Sequence, residues 1–189
     1  MKQTGRQMLA YGTLKTPIGR LFVAAEERGI VAVTFLNDRP VADELPRLAR
    51  AGHETGGQQN GAGGGRASAH LSKAMSQLRD YFAGTSKVFD LDLFSMGTDF
   101  QKKVWRALAR IPYGETRSYA EIARSIDRPR ATRAVGGAIG DNPAAVVVPC
   151  HRVIGVDGSL TGFGGGLDRK RWLLEHESGA RRLPIAART

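Results

Sequence analysis

The feature of this 189-residue chain best equipped for covalent chemistry is a cysteine beside a histidine, at the end of an apolar run. The run reads Val146-Val147-Val148-Pro149-Cys150-His151-Arg152-Val153, and Cys150 is the only thiol in the sequence. A thiol attacks as its thiolate, a form that a nearby imidazole or cation favours. The three valines predict a buried strand-like run. Neighbouring side chains on such a segment point apart, so His151 would reach the sulfur through a water. A histidine base needs an acid to orient it, and the last helix, Leu167–Glu177, supplies Glu177. That residue lies three after Leu174, four after Leu173 and seven after Lys170, on the edge of the apolar stripe, whereas Glu175 points elsewhere. Taken singly, a lone cysteine is more often inert packing and a helix-end Glu more often exposed. The surrounding elements decide.

The C-terminal half reads as helical. Thr98-Asp99-Phe100-Gln101 is a capping box, followed by Phe100, Val104, Leu108 and Ile111 on one face, and Ile111-Pro112-Tyr113-Gly114 stops the helix. A second capping box, Ser118-Tyr119-Ala120-Glu121, opens a short helix through about Ser125, with Ile122 and Ile126 inward. After a brief turn, Pro129 suits the first position of another helix, which runs to about Gly140 before Pro143 forbids its continuation. Two short helices about a tight turn form a helix-turn-helix pattern. The second of them is nearly bare: Ala131, Thr132, Ala134, Gly136, Gly137 and Ala138 leave Arg130 and Arg133 as the long side chains. Such a helix packs closely against another helix, or allows the backbone approach that a narrow minor groove demands.

The N-terminal part, 1–94, reads as a small α/β domain, with 95–189 as the second domain. Leu21–Ala25 and Ile30–Phe35, joined by Glu26-Glu27-Arg28-Gly29, predict a hairpin. Residues 50–66 are Gly-rich and almost free of apolar groups, which predicts a flexible surface loop without chemistry. Leu71, Met75, Leu78 and Phe82 have helical spacing, and Val88–Phe94 alternates like a strand.

Net charge is +10, with 16 Lys/Arg against 9 Asp/Glu from Ser95 onward, and a polyanionic partner fits that balance. One cysteine and four scattered histidines show no zinc-ligand spacing, so no metal and no cofactor are expected. The sequence contains no membrane-length apolar run and no apolar signal core, which predicts a cytoplasmic protein.

These residues resemble the O6-alkylguanine-DNA alkyltransferases, the methylated-DNA–protein-cysteine methyltransferases. The matching pieces are Phe100-Gln101, Val104-Trp105, Ile111-Pro112-Tyr113-Gly114, Ser118-Tyr119, Arg133-Ala134-Val135-Gly136 and Asn142-Pro143. Pro149-Cys150-His151-Arg152-Val153, Gly162-Phe163 and Lys170 through Leu173-Leu174 to Glu177 follow in family order. The N-terminal half resembles the family only in length and α/β pattern.

The resemblance implies a ribonuclease H-like α/β N-terminal domain and a mostly α C-terminal domain with a winged-helix-like helix-turn-helix. It implies direct-reversal DNA repair: O6-alkylguanine, and O4-alkylthymine, is flipped from duplex DNA and its alkyl group passes irreversibly to Cys150. On that resemblance His151 deprotonates Cys150 through a water, Glu177 polarises His151, and Asn142 braces the link to the active-site segment. Tyr119 protonates the guanine leaving group and helps turn the target phosphate. Arg133 replaces the extruded nucleotide in the stack, on a DNA-binding face that includes Ala131, Thr132, Ala134, Gly136 and Gly137. Val153, Phe163 and Gly164 line the base pocket. Phe163 departs from the Tyr that many relatives carry, and Gly164-Gly165-Gly166 makes the pocket loop slimmer. A monomer is expected, with cooperativity on DNA open. A non-catalytic sensor of alkylated DNA, a helix-turn-helix transcription factor and a cysteine hydrolase are the rival readings.

Overall fold

The computed structural model describes residues 9–53, 57–59, 65–94 and 96–179, and its contacts divide the chain between Met96 and Gly97 into two compact units. The first is built on a four-stranded sheet of order β3-β2-β1-β4, with β1 at Leu9–Thr16, β2 at Gly19–Glu26, β3 at Gly29–Phe35 and β4 at Gly57–Gln59. The first three strands are antiparallel neighbours; β4 joins β1 in parallel. The β2–β3 hairpin is the one expected from sequence. It turns at Gly29, whose φ of +138° suits glycine and whose missing Cβ would stand 2.3 Å from the Asp92 carbonyl oxygen. Strand β2 is buried on both faces from Leu21 to Ala25. Phe22 and Ala24 form one cluster with Leu9, Leu36 and Leu48, the last on α1 (Glu44–Arg50). Helix α2 (Gly65–Phe82) packs across β1, β2 and β3, burying Leu71, Ala74, Leu78 and Tyr81.

Two expectations fail in this unit. The segment 50–66 is not all loop: Gly57–Gln59 pairs with β1, α2 begins at Gly65, and His53 is buried against Glu26 with Nδ1 2.9 Å from Oε1. Residues 54–56 and 60–64 lie outside the described residues. Val88–Phe94 is no strand. The Gln77 side chain bonds both the Asp90 N–H and the Asp90 carbonyl, groups that a neighbouring strand would otherwise take. The segment's backbone pairing with β3 is a single bridge between Leu93 and Ile30, and Val88 is exposed.

The second unit packs α3 (Asp99–Ala109), α4 (Tyr119–Ser125) and α5 (Thr132–Gly140) against one another. Both capping boxes form, at Thr98 with Gln101 and at Ser118 with Glu121. Val104, Trp105, Leu108, Ile122, Val135 and Ile139 make a shared core, and the Trp105 Nε1–H donates to the Ala138 carbonyl at 2.8 Å. Helix α5 starts later than Pro129 suggested. Pro129 and Arg130 are the middle of a turn closed by the Ala131 N–H on the Arg128 carbonyl at 2.8 Å, and proline suits the second position of a turn as well as the first of a helix.

The valine run is a second correction. Val146 has a φ of +73°, so the chain turns where a strand was expected, and Cys150–Arg152 form a single 3-10 turn. Asn142 enforces the bend: its Oδ1 accepts the Ala144 N–H at 3.1 Å and its Nδ2 donates to the Val148 carbonyl at 2.9 Å. A short parallel pair, β5 (Arg117–Ser118) with β6 (Val153–Ile154), ties the chain after the cysteine to the start of α4. Helix α6 (Leu167–Ser178) ends the described chain. Among the described residues no helix is long and apolar enough to cross a membrane.

Candidate active site

Cys150 sits in the core of the second unit, 6% exposed, with Tyr119 and Phe163 packed against the same cluster as Cys150 and Val153. Burial pushes its thiol above the ordinary value, and this outweighs the Asn142 hydrogen bond and the Lys170 charge, both of which favour the thiolate. The resting sulfur is therefore a thiol. Ionisation must be driven by transfer of its proton to a base.

That base has a built setting. His151 is fully buried, and its Nε2 lies 2.7 Å from Glu177 Oε1. Burial lowers the imidazole's proton affinity, Arg152 and Lys170 lower it further, and Glu177 opposes them; the net direction is down, so the ring is neutral near neutrality. Its Nδ1 is buried without a hydrogen-bond partner among the described residues. An orphaned buried nitrogen carries a desolvation cost and invites a functional reading.

Glu177 is where its helical register put it: on the buried stripe of α6 with Lys170, Leu173 and Leu174, while Glu175 is exposed. Desolvation pushes its carboxyl up, but hydrogen bonds and charge from His151 and Arg152 win and hold it well below the usual carboxylate range. Gly114, at φ +76°, brings its N–H to within 3.2 Å of Glu177 Oε2; a Cβ there would stand 3.0 Å from the Glu177 carbonyl oxygen.

Two charged residues had no role assigned from sequence. Arg152 is 6% exposed and holds Glu177 through Nε to Oε2 at 2.7 Å and Nη2 to Oε1 at 2.9 Å. Lys170 is fully buried, its Nζ donating to the Thr161 carbonyl at 2.6 Å and standing 5.9 Å from the Tyr119 ring centre. Burial lowers its pKa to about 8, against the pull of Cys150. A signal for Lys170 was available, since it occupies a core position of α6 seven residues before Glu177. Nothing local marks Arg152.

Tyr119 opens α4; its hydroxyl donates to the Thr161 carbonyl at 3.0 Å, and its ring lies 3.9 Å from the position a Cβ on Gly136 would take. Helix α5 thus meets the site through a glycine. Arg133, Ala134 and Gly137 are exposed on α5, Thr132 and Gly136 half-buried, and Ala131 is the residue before the first turn. Gly164 is exposed, and a Cβ on it would meet nothing within 4 Å. A separate cleft of about 220 Å³ between α3 and α4, lined by Ala107, Arg110, Ile111, Arg117, Glu121, Ile122 and Ser125, includes none of these residues.

Comparison with known proteins agrees with this division of the chain. Residues 9–94 match the ribonuclease-like domain of 6-O-methylguanine DNA methyltransferase, and residues 99–179 match its DNA-binding domain. The chain belongs to the 6-O-methylguanine DNA methyltransferase family. It is 48% identical to a methylated-DNA–protein-cysteine methyltransferase of Mycolicibacterium paratuberculosis over 90% of this chain and 93% of that protein. A protein of the same name from Methanosarcina acetivorans is 44% identical over 88% of this chain and 97% of its own. The crystal structure of Mycobacterium tuberculosis O6-methylguanine methyltransferase superposes with a TM-score of 0.74 at 43% identity, covering 93% of this chain and 96% of the other. A Mycobacterium tuberculosis OGT structure in complex with DNA gives a TM-score of 0.72 at 45% identity, over 89% and 92% of the two chains. The N-terminal domain, whose sequence resembles the family only in length and α/β pattern, is thus matched in its own right.

Proposed function

We propose that this chain is a methylated-DNA–protein-cysteine S-methyltransferase that takes the alkyl group of O6-alkylguanine, and of O4-alkylthymine, from duplex DNA onto Cys150. The observation that carries the reading is a buried thiol beside a neutral histidine whose far nitrogen is held by an ionised carboxylate. His151 Nδ1 accepts the thiol proton through a water, and the imidazolium that results is stabilised by Glu177. The thiolate attacks the alkyl carbon, the carbon–O6 bond breaks, and Tyr119 supplies the proton that the departing guanine takes up. Asn142, bonded on both sides of the valine turn, holds the sulfur in place for that attack. The thioether has no easy reverse, so each molecule acts once.

The alkyl carbon is inaccessible inside a duplex, so the nucleotide must rotate out, at a cost of about a few kcal/mol for unstacking. Helices α4 and α5 form the helix-turn-helix, with the small residues Ala131, Thr132, Ala134, Gly136 and Gly137 allowing close approach to the minor groove. Arg133, exposed on α5, enters the vacated stack. The base is received between Tyr119 and Phe163, with backbone at Val153 and Gly164 as pocket lining. Phosphate contacts from the basic second domain make binding salt-sensitive and tolerant of sequence. We further place the protein in the cytoplasm, acting as a monomer on DNA with no cofactor.

Incubation with a duplex carrying one O6-methylguanine, followed by intact and peptide mass measurement, tests this. A single added methyl on the peptide containing Cys150 is expected, without turnover. An unmodified protein that still binds the lesion would assign it to the non-catalytic sensors instead.

A further inference from the structure

Arg152 is buried and held by side-chain hydrogen bonds from Nε, Nη1 and Nη2, yet the transfer chemistry gives it no step. Besides its two bonds to Glu177, its Nη1 donates to the Ile111 carbonyl at 2.6 Å, and its guanidinium lies 5.7 Å from the Tyr113 ring centre. A carboxylate offers about four lone-pair sites. On Glu177, Oε1 carries His151 Nε2 and Arg152 Nη2, while Oε2 carries Arg152 Nε and the Gly114 N–H. Three of these are donors that keep their hydrogens. With these three donors and the guanidinium charge against it the carboxylate stays ionised, so the site that faces Nε2 carries no proton of its own.

This settles which end of His151 can be a base. With no proton on Glu177, the 2.7 Å contact has to be Nε2–H donating to Oε1. A neutral imidazole has one N–H, so Nδ1 keeps the lone pair, and Nδ1 is buried without a hydrogen-bond partner among the described residues. We propose that Arg152 is a positioning residue that fixes the His151 tautomer, leaving Nδ1 unprotonated to receive the Cys150 proton.

Removing the guanidinium would leave a buried carboxylate facing an imidazole with two ways to relax. A proton on Glu177, donated to Nε2, puts the ring hydrogen on Nδ1. An imidazolium paired with the carboxylate also has Nδ1 protonated. Either way the thiol hydrogen has no acceptor. In the native arrangement that hydrogen moves to Nδ1, the ring becomes imidazolium with Nε2–H still on Glu177, and the electron pair stays on sulfur. The titratable and charged groups acting on His151 are Glu177 and Lys170 from α6 and Arg152 on its own turn. Cys150 precedes it on that turn, and Tyr113 lies behind the guanidinium.

The inference rests on reading Cys150 as the acceptor, but its main readout does not need transfer. In full-length protein labelled with 15N-histidine, His151 should show at neutral pH an unprotonated Nδ1 and a protonated Nε2. Arg152→Met should show Nδ1 protonated. In single-turnover reaction with free O6-benzylguanine, the acid limb should move up by about one pH unit or more, as expected when a cation is removed from beside a base, with roughly a tenfold rate loss at pH 7. Arg152→Lys, which keeps charge but not the fork, should shift the same limb by less. Where Arg152→Met does not fold, Arg152→Lys decides alone. An Nδ1 still unprotonated and a limb still at the wild-type pH in the folded variants overturn the proposal. A wild-type protein that shows the expected tautomer but gains no methyl overturns the transferase reading instead.

Discussion

Deleting the carboxylate of Glu177 should destabilise the second domain far more than its single side chain suggests. In Glu177→Leu, Arg152 keeps its charge at 6% exposure with only the Ile111 carbonyl as a hydrogen-bond acceptor among the bonds described above. Breaking a buried pair from one side costs about 3–5 kcal/mol, because the partner is left uncompensated. Arg152→Met should cost a similar amount from the other side. The double variant removes both charges and restores apolar packing, so its loss should be well below the sum, with a coupling of roughly 3 kcal/mol. Urea unfolding followed by tryptophan fluorescence reads this domain selectively, since the two tryptophans of the chain, Trp105 and Trp172, both lie in it. The acid side supplies an internal check. A carboxyl held low in the folded state contributes stability that is fully present above its unfolded value near ~4.3 and is lost as pH falls through the folded one. The gap between wild type and Glu177→Leu should therefore narrow below about pH 4.3. Additive single-variant losses, or a single loss under about 1 kcal/mol, would refute the reasoning, since an exposed pair is worth no more than that.

Cys150→Ser should abolish alkyl transfer while keeping affinity for alkylated duplex, as read by gel shift; loss of binding as well would make the cysteine structural. Arg133→Ala should slow repair in duplex at least tenfold more than reaction with free O6-benzylguanine, and equal losses would remove its role in extrusion. Lys170, with its folded pKa lowered to about 8, is penalised while charged, so stability should rise between that pH and its unfolded value near ~10.4. Lys170→Met should flatten that part of the stability–pH curve, and an unchanged slope would show the ammonium to be adequately solvated.

Local pattern was enough for a good part of this protein. The capping boxes at Thr98 and Ser118 marked two helix starts because a capping box is closed within four residues. The β2–β3 hairpin and the stripe that turns Glu177 inward were legible for the same reason: both depend on spacing along one element. Where the outcome depended on distant partners, local pattern misled. Strand β1, with Gly12 in its middle, is flanked by its hairpin partner β2 on one side and, on the other, by β4, whose Gly57 lies far along the chain from Leu9. Val88–Phe94 has the alternation of a strand, but the Gln77 side chain takes both backbone groups of Asp90, and the pairing with β3 is one bridge, Leu93 with Ile30. The valines before Cys150 have strand propensity, but Asn142 ties off a bend there.

The division is sharpest at the site. Residue types and order named Cys150, His151 and Glu177, because thiol, imidazole and carboxylate carry their chemistry wherever they stand. Only the tertiary structure joined Glu177 to Gly114, 63 residues away, and to Arg152, 25 away, and only it pushed the thiol up by burying it. Protonation states follow from desolvation and from charges brought together across the fold, and neither quantity exists in the chain until it is folded.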